Sequence, residues 1–258
     1  MVNISIITIT YNAHDALERT INSIRKYKKI YQSFYIIDGA SSDNTLNLIQ
    51  KNSDIIDNYI SEPDLGIYDA MNKVSKFNIH DDNYLIWINS GDELLDWDDN
   101  EICKIKDFDC AFFAVNTKLN PHDKGNIIAP FFTLPFGEKN FISRLQMWHQ
   151  GYFIKNSIFK TIKYDLNVGI QADRLLMYYT AQNFSYYLSS TATANYYLDG
   201  ISSTNHKLYH ESMILVAKKL NFSIYKLFIY NPLYFAKAII KPYLPLSFFN
   251  FIRKYKNK

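Results

Sequence analysis

Tyr84-Leu85-Ile86-Trp87-Ile88-Asn89-Ser90-Gly91-Asp92-Glu93 decides the fold of this chain. An apolar run of strand length stops abruptly at Asn-Ser-Gly-Asp-Glu, so a carboxylate emerges at the carboxyl end of a buried strand. In open α/β sheets that edge is where ligands sit. Gly91 lets the backbone approach a ligand closely or take a conformation closed to other residues. Asp92, with Ser90 beside it, can reach a divalent cation that itself holds phosphate oxygens. Taken alone, Ser-Gly-Asp fits a solvated strand-ending turn equally well, and the surrounding chain has to decide.

Upstream, residues 3–10 are β-branched and apolar and predict a buried first strand. Asp15 opens a helical pattern with Ala16, Leu17, Ile21 and Ile24 on one side, ending near Lys28-Lys29. A second strand, 33–37, ends in Asp38-Gly39-Ala40-Ser41-Ser42-Asp43, and Ser42 is the expected N-cap of the helix carrying Leu46 and Ile49. Residues 54–60 read as a short third strand, and 66–77 as a helix with Ile67, Ala70, Met71 and Val74 facing the core. Strands alternating with helices, with carboxylates at the tips (Asp38, Asp64, Asp92), imply an α/β fold with a parallel sheet and right-handed crossovers. No G-x-G-x-x-G follows the first strand and no P-loop is present, which argues against dinucleotide chemistry and NTP hydrolysis.

Downstream the pattern is less regular. Residues 109–115 predict a strand, and 116–145, with Pro121, Pro130, Pro135, Gly125 and Gly137, have the composition of a long loop or lid. Met147-Trp148-His149-Gln150-Gly151 precedes a strand at 152–154. A helix starts at Gln171-Ala172-Asp173-Arg174, and 184–198 alternate aromatics with Ser and Thr as a hairpin or strand pair would.

At 258 residues the chain fits one large α/β domain or two small ones. Cys103 and Cys110 form neither a metal-ligand spacing nor a disulfide framework, which suits a reducing compartment. The first five residues lack a basic segment followed by an apolar one, so no secretory signal is expected. Charge is uneven. After Glu211 there are nine basic residues and no acid, and the other 19 basic residues face all 25 acidic ones, leaving residues 1–211 at about −6. That asymmetry divides the chain into 1–211 and a basic, aromatic tail, 212–258. A nucleic-acid-binding domain would spread its basic patch across the fold, so nucleic acid is not an expected partner. The longest uncharged runs of the tail, 227–236 and 242–252, hold about ten residues each, where a spanning helix needs about 20. Interfacial helices on an anionic leaflet fit better; an oligomerisation surface or ordinary C-terminal packing is the alternative.

Four ordered segments carry a resemblance: 8–12 (Thr-Ile-Thr-Tyr-Asn), 37–45 (Ile-Asp-Gly-Ala-Ser-Ser-Asp-Asn-Thr), 61–73 (Ser-Glu-Pro-Asp-Leu-Gly-Ile-Tyr-Asp-Ala-Met-Asn-Lys) and 89–92 (Asn-Ser-Gly-Asp). Together they resemble the family 2 glycosyltransferases of GT-A fold, in particular the branch that builds bacterial O-antigen, colanic acid and capsule repeats. The resemblance is dense over 3–95, resumes at His149-Gln150 and Ala172-Asp173, and does not reach the tail. It implies inverting transfer of a sugar from a nucleotide-sugar donor, a UDP-sugar, to an acceptor hydroxyl. Asp38 then matches the carboxylate that accepts from the uracil imide, with Thr8, Thr10 and Tyr11 closing over the base. Glu62, Asp64, Asn89 and Ser90 approach the donor nucleotide, and Lys73 is either a phosphate contact or a solvated helix lysine. Asp92 is the metal ligand for Mn²⁺ or Mg²⁺, in a motif whose first carboxylate is replaced here by Ser90. Trp148, His149 and Gln150 lie near the donor sugar or acceptor. Asp173 is the base, with Asp165 as its fallback, and Arg174 stands where related enzymes have an aromatic residue. The acceptor implied is an undecaprenyl-pyrophosphate-linked sugar at the cytoplasmic face of the inner membrane, with the tail as a peripheral anchor.

Two other functions compete. A sugar-phosphate nucleotidyltransferase would want a glycine-rich, Arg-containing loop after the first strand, and Tyr11-Asn12-Ala13-His14 is not one. A non-catalytic sugar- or lipid-binding scaffold would have no use for Asp38, Asp92 and Asp173 together.

Overall fold

The computed structural model describes residues 2–120, 122–130, 147–198 and 206–230. Strand β1 (Ile4–Thr10) is buried along its whole length. Period-2 alternation sends Ile4 and Ile6 to one face and Ile7 and Ile9 to the other, and both faces are covered. Around it β2 (Ser33–Asp38), β3 (Asn58–Ser61) and β4 (Tyr84–Trp87) pair in parallel, in the order β3-β2-β1-β4. The crossovers carry α1 (His14–Lys26), α2 (Thr45–Lys51) and α3 (Ile67–Asn72). Since the strands are parallel, the residues that follow β1, β2 and β4 emerge at one edge of the sheet. The expected cap at Ser42 moves to Asn44, and Ser42 instead donates its backbone N–H to the Asn12 side chain at 2.8 Å.

Beyond β4 the sheet is mixed. β8 (Tyr152–Lys155) lies antiparallel between β4 and β6 (Cys110–Lys118). β9 (Tyr186–Tyr197) runs parallel to β6, and β5 (Glu93–Leu94) pairs antiparallel with β9. β7 (Asn126–Ile128) pairs with β6, inside the segment read from sequence as a loop. The 184–198 region is therefore one long strand rather than a hairpin. Residues 186–197 contain no Gly or Pro to reverse the chain, and a period-2 pattern looks the same whether or not it turns. The strand follows β6 through two register irregularities.

One face of the sheet packs on Leu17, Ile21 and Ile24 of α1 and on Leu48 and Ile49 of α2. The other packs on Met71 of α3, Phe159 of α5 (Asn156–Thr161), Leu176 of α6 (Ala172–Asn183) and Met213 of α7 (His206–Lys219). α4 (Asp99–Cys103) and α8 (Ile224–Tyr230) complete the helices among the described residues. The charge break at 211/212 falls inside α7, whose Met213, Val216 and Ala217 are core residues, and Leu220 and Phe222 still pack against that core. Most of the tail (231–258) and much of the expected lid (131–146) lie outside the described residues. No helix among the described residues is long and apolar enough to cross a membrane.

Candidate active site

At the end of β4 the chain turns through Asn89, Ser90 and Gly91, whose φ of 104° is open to glycine at little cost. α1 holds this turn from behind. Arg19 donates through Nε and Nη2 to the Gly91 carbonyl at 3.1 and 2.9 Å and lies over the Tyr197 ring, 4.7 Å from its centroid. The buried Thr20 hydroxyl donates to the Asp92 carbonyl at 2.7 Å and accepts from the Gly91 N–H at 2.9 Å. The Asp92 side chain, 6% exposed, is then aimed by two more partners: Gln150 Nε2 donates to its Oδ2 at 2.9 Å and the Tyr197 N–H to its Oδ1 at 3.4 Å.

Asp92 forms one wall of a cavity of about 440 Å³. Asn89, Ser90, Trp148, His149 and Gln150 line it as well, together with Asp173 and Arg174 at the start of α6. Asn89 Nδ2 lies 3.0 Å from His149 Nε2, and His149 Nδ1 lies 3.3 Å from Asp173 Oδ2, so a continuous polar chain joins the β4 tip to the α6 carboxylate. Asp173 is 18% exposed at its side chain. Burial pushes its carboxyl up, but the hydrogen bond with His149, helped by the nearby Tyr68 hydroxyl and Arg174 guanidinium, prevails, and the net displacement is downward. The acid is thus held as a carboxylate. Tyr68, from α3, donates its hydroxyl to the Ile170 carbonyl at 3.1 Å, and burial drives its phenol well above the ordinary value.

The other predicted residues sit outside the cavity, at the neighbouring strand tips. Tyr11 is 63% exposed after β1, and Gly39 lies so close that a β-carbon there would meet Asp64 Oδ2 at 2.6 Å and Tyr11 Cδ2 at 3.2 Å. An aromatic ring and a carboxylate thus close over the Gly39 backbone, and the Tyr11 ring keeps most of its surface exposed. Ala40 and Asn12 hold positive φ, 64° and 46°, in the two loops that meet here, and such backbone persists only where the surroundings enforce it. Asp38 is fully buried. Its carboxylate accepts from the Ser41 hydroxyl, the Ser41 N–H (3.0 Å) and the Ser61 hydroxyl (2.6 Å), so it organises this loop from within. Thr8 donates to the Ile88 carbonyl at 2.6 Å, joining β1 to β4. Thr10 is buried, with its hydroxyl unpartnered among the described residues. Glu62 pairs with Lys73 (3.1 Å) and Lys76 (2.5 Å), and Lys73 also donates to the Pro63 carbonyl at 2.6 Å. Those lysines tie the end of β3 to the helical segment after it, which accounts for Lys73 without a phosphate. Asp165 is engaged by Lys219 at 2.9 Å and caps the turn 166–171, away from the cavity.

Among the described residues no three His, Cys, Asp or Glu side chains gather as a metal cluster. The buried Ser90 hydroxyl and the Asn89 and Gln150 amide oxygens have no hydrogen-bond partner among the described residues. One carboxylate with orphaned neutral oxygens fits a hard divalent cation shared with a diphosphate, and does not make a cage of its own. Arg19, Thr20, Tyr68 and Tyr197 escaped the sequence reading. Tyr68 lay within a quoted motif, whereas the others had no local signal.

Residues 5–161, more than half of the chain, match the family model described as glycosyl transferase family 2. A stretch of 72 residues is 38% identical to the uncharacterized glycosyltransferases Rv1514c and MT1564 of two Mycobacterium tuberculosis strains, and covers 27% of this chain and 27% of theirs. Among solved structures, S. aureus TarS 1–349 superimposes with a TM-score of 0.63 at 16% identity, over 85% of this chain and 65% of that one. Its complex with UDP gives 0.65 at 16% identity, over 95% and 76%. The mannosyltransferase PcManGT from Pyrobaculum calidifontis, in complex with GDP-Man and Mn²⁺, gives 0.58 at 14% identity, over 86% and 65%. At these identities the superpositions establish a shared fold, a curled α/β sheet with flanking helices. The chain spans just over a quarter of the curated relatives it matches and about two thirds of TarS 1–349.

Proposed function

The chain belongs to glycosyl transferase family 2, and from that premise we propose that it transfers a sugar, with inversion, from a UDP-sugar to a hydroxyl of a lipid-linked glycan in bacterial surface-polysaccharide assembly. The observation that carries this reading is the single cavity lined by both Asp92 and Asp173. The UDP-bound neighbour of the same fold supports the choice of donor.

The nucleoside packs on the exposed ring of Tyr11, which offers a face for stacking beside Gly39 and Asp64. The diphosphate extends along the β4 turn toward Ser90 and Asp92. A divalent cation, Mn²⁺ or Mg²⁺, held by Asp92 together with diphosphate oxygens would offset the charge accumulating on the leaving group. The donor sugar enters the cavity against Trp148. Asp173, kept ionised by His149, Tyr68 and Arg174, receives the proton of the acceptor hydroxyl as its oxygen bonds to the anomeric carbon, while the bond from that carbon to the diphosphate breaks on the opposite face. His149, lying between Asn89 and Asp173, couples the position of the base to that of the turn. The acidic body and the basic, aromatic C-terminal end suit an enzyme that works on the cytoplasmic face of the inner membrane.

The test is turnover of UDP-sugars by the full chain with added Mn²⁺. Asp173→Asn is expected to cut kcat by about 10²- to 10⁴-fold while UDP still binds, and Asp92→Ala to abolish the response to Mn²⁺. A wild-type chain that binds no uridine nucleotide would overturn the reading.

A further inference from the structure

Three arginines lie among the described residues, and two of them have their Nε–Nη2 or Nη1–Nη2 edges occupied. Arg19 gives Nε and Nη2 to the Gly91 carbonyl, and Arg25 faces Asp54 and Asn52. Arg174 differs. Its Nη1 donates to the Tyr209 hydroxyl at 3.2 Å and to Met213 Sδ at 3.4 Å, both on α7, and the guanidinium carbon sits 5.9 Å from the Tyr209 ring centroid. These contacts fix the plane of the group but do not neutralise it. Nε and Nη2 have no partner, and the guanidinium no ion pair, among the described residues. Asp173, next to it in sequence, directs its Oδ1 to the Arg174 backbone N–H at 2.7 Å and its Oδ2 toward His149 at 3.3 Å. A partly buried cation therefore lines the cavity with its Nε–Nη2 edge unpaired, and that edge matches the geometry of a carboxylate or of two phosphate oxygens.

We infer that Arg174 is an anion-recognition point beside the base, and that the saccharide entering this cavity carries a carboxylate or phosphate substituent read by its Nε–Nη2 edge. The inference rests on the transferase reading and specifies the substrate class of the same site. The nucleotide diphosphate is not the natural occupant, because the transferase reading already places it at the β4 turn with Ser90 and Asp92. The adjacency of Arg174 to Asp173 assigns the anion to the acceptor, whose hydroxyl must reach that base; an acidic donor sugar presents the same chemistry.

Four probes separate these sources. The full-length chain, saturated with UDP and Mn²⁺, is titrated with methyl glucuronide and with methyl glucoside, as acceptor-like probes. UDP-glucuronate and UDP-glucose are compared separately as donor-like probes. Wild type is expected to prefer the charged member of the acceptor pair at least about tenfold, the scale of a hydrogen-bonded charge pair. Arg174→Gln should remove that preference, and Arg174→Lys should restore part of it, since a lysine supplies charge without the fork. A preference confined to the donor pair moves the anion to the donor sugar. Parity of charged and neutral probes in wild type overturns the inference, and that comparison holds even if Arg174→Gln proves unstable. So does an Arg174→Gln variant, folded by thermal unfolding, that weakens both members of each pair equally, since this marks the side chain as a tie between α6 and α7. UDP binding in the first titration is an independent reading, so failure of the transferase assignment is distinguishable from failure of the anion site.

Discussion

Gly39 has no room for a methyl group. A β-carbon there would come within 2.6 Å of Asp64 Oδ2, whose partner oxygen is held by the Gly66 N–H at 2.8 Å, and within 3.4 Å of two Tyr11 atoms. Gly39→Ala must therefore displace the two side chains proposed to flank the nucleoside, both of which lie at the surface rather than in the core. The expected result is a loss of UDP affinity of about tenfold or more with little change in thermal unfolding, read by nucleotide titration and Tm on the same sample. Asp173 gives a prediction in pH. Its folded carboxyl is displaced downward from 3.8, so the charged form, and the stability that accompanies it, is complete above about pH 4 and is lost as pH falls through the lower folded value. The acid limb that this group imposes on kcat/KM accordingly lies below the ordinary aspartate range. A limb near neutral pH that vanished in Asp173→Asn would contradict the assignment.

At the scale of elements, α1 acts on a turn some 70 residues away. Thr20 is fully buried and its hydroxyl satisfies both the Gly91 N–H and the Asp92 carbonyl. Thr20→Val keeps the shape and strands those two backbone groups, a cost of about 1–3 kcal/mol. Thermal unfolding should register that loss, and Mn²⁺ should saturate donor turnover at a higher concentration because the turn presenting Asp92 is looser. An unchanged Mn²⁺ response would make Thr20 a packing residue only. This contact also shows why part of the site was legible in sequence and part was not. The strand tips could be read because continuous apolar runs stop abruptly at Asp38 and Asn89, a signal contained in a few consecutive residues. Of the partners around the acids, His149 and Gln150 were indicated by the resemblance, whereas Arg19 and Thr20 on Gly91 and Asp92 depend on contacts between distant segments. Local spacing carries no trace of them. β5, two residues long and unread, and β9, read as a hairpin or strand pair, have a related cause: their pairing rather than their own pattern defines them.

The whole molecule is an acidic body joined to a basic, aromatic end, and the described part of that end already shows how the two are divided. α7 belongs to the body, with Met213, Val216 and Ala217 in its core, and Leu220 and Phe222 continue the packing. On α8, Ile224, Tyr225 and Ile229 are 37, 75 and 50% exposed. Exposed Tyr and Ile beside lysines suit the proposed contact with a headgroup layer, with rings at the boundary and cations toward anionic lipid. Any truncation meant to probe membrane binding must therefore cut after Phe222, since an earlier cut opens the core and would mimic loss of function through unfolding. The sharper test is the pair Tyr225→Ser and Ile229→Ser in the full chain, which removes exposed apolar area that the core does not use. Co-flotation with phosphatidylglycerol vesicles should fall at least about threefold, and wild-type binding should weaken as salt screens the basic residues. Thermal unfolding and glycosylation of a soluble acceptor analogue should stay as they were. If flotation is unchanged by both the double substitution and salt, α8 is not a membrane contact, and the basic end must serve another surface, such as a second copy of the chain.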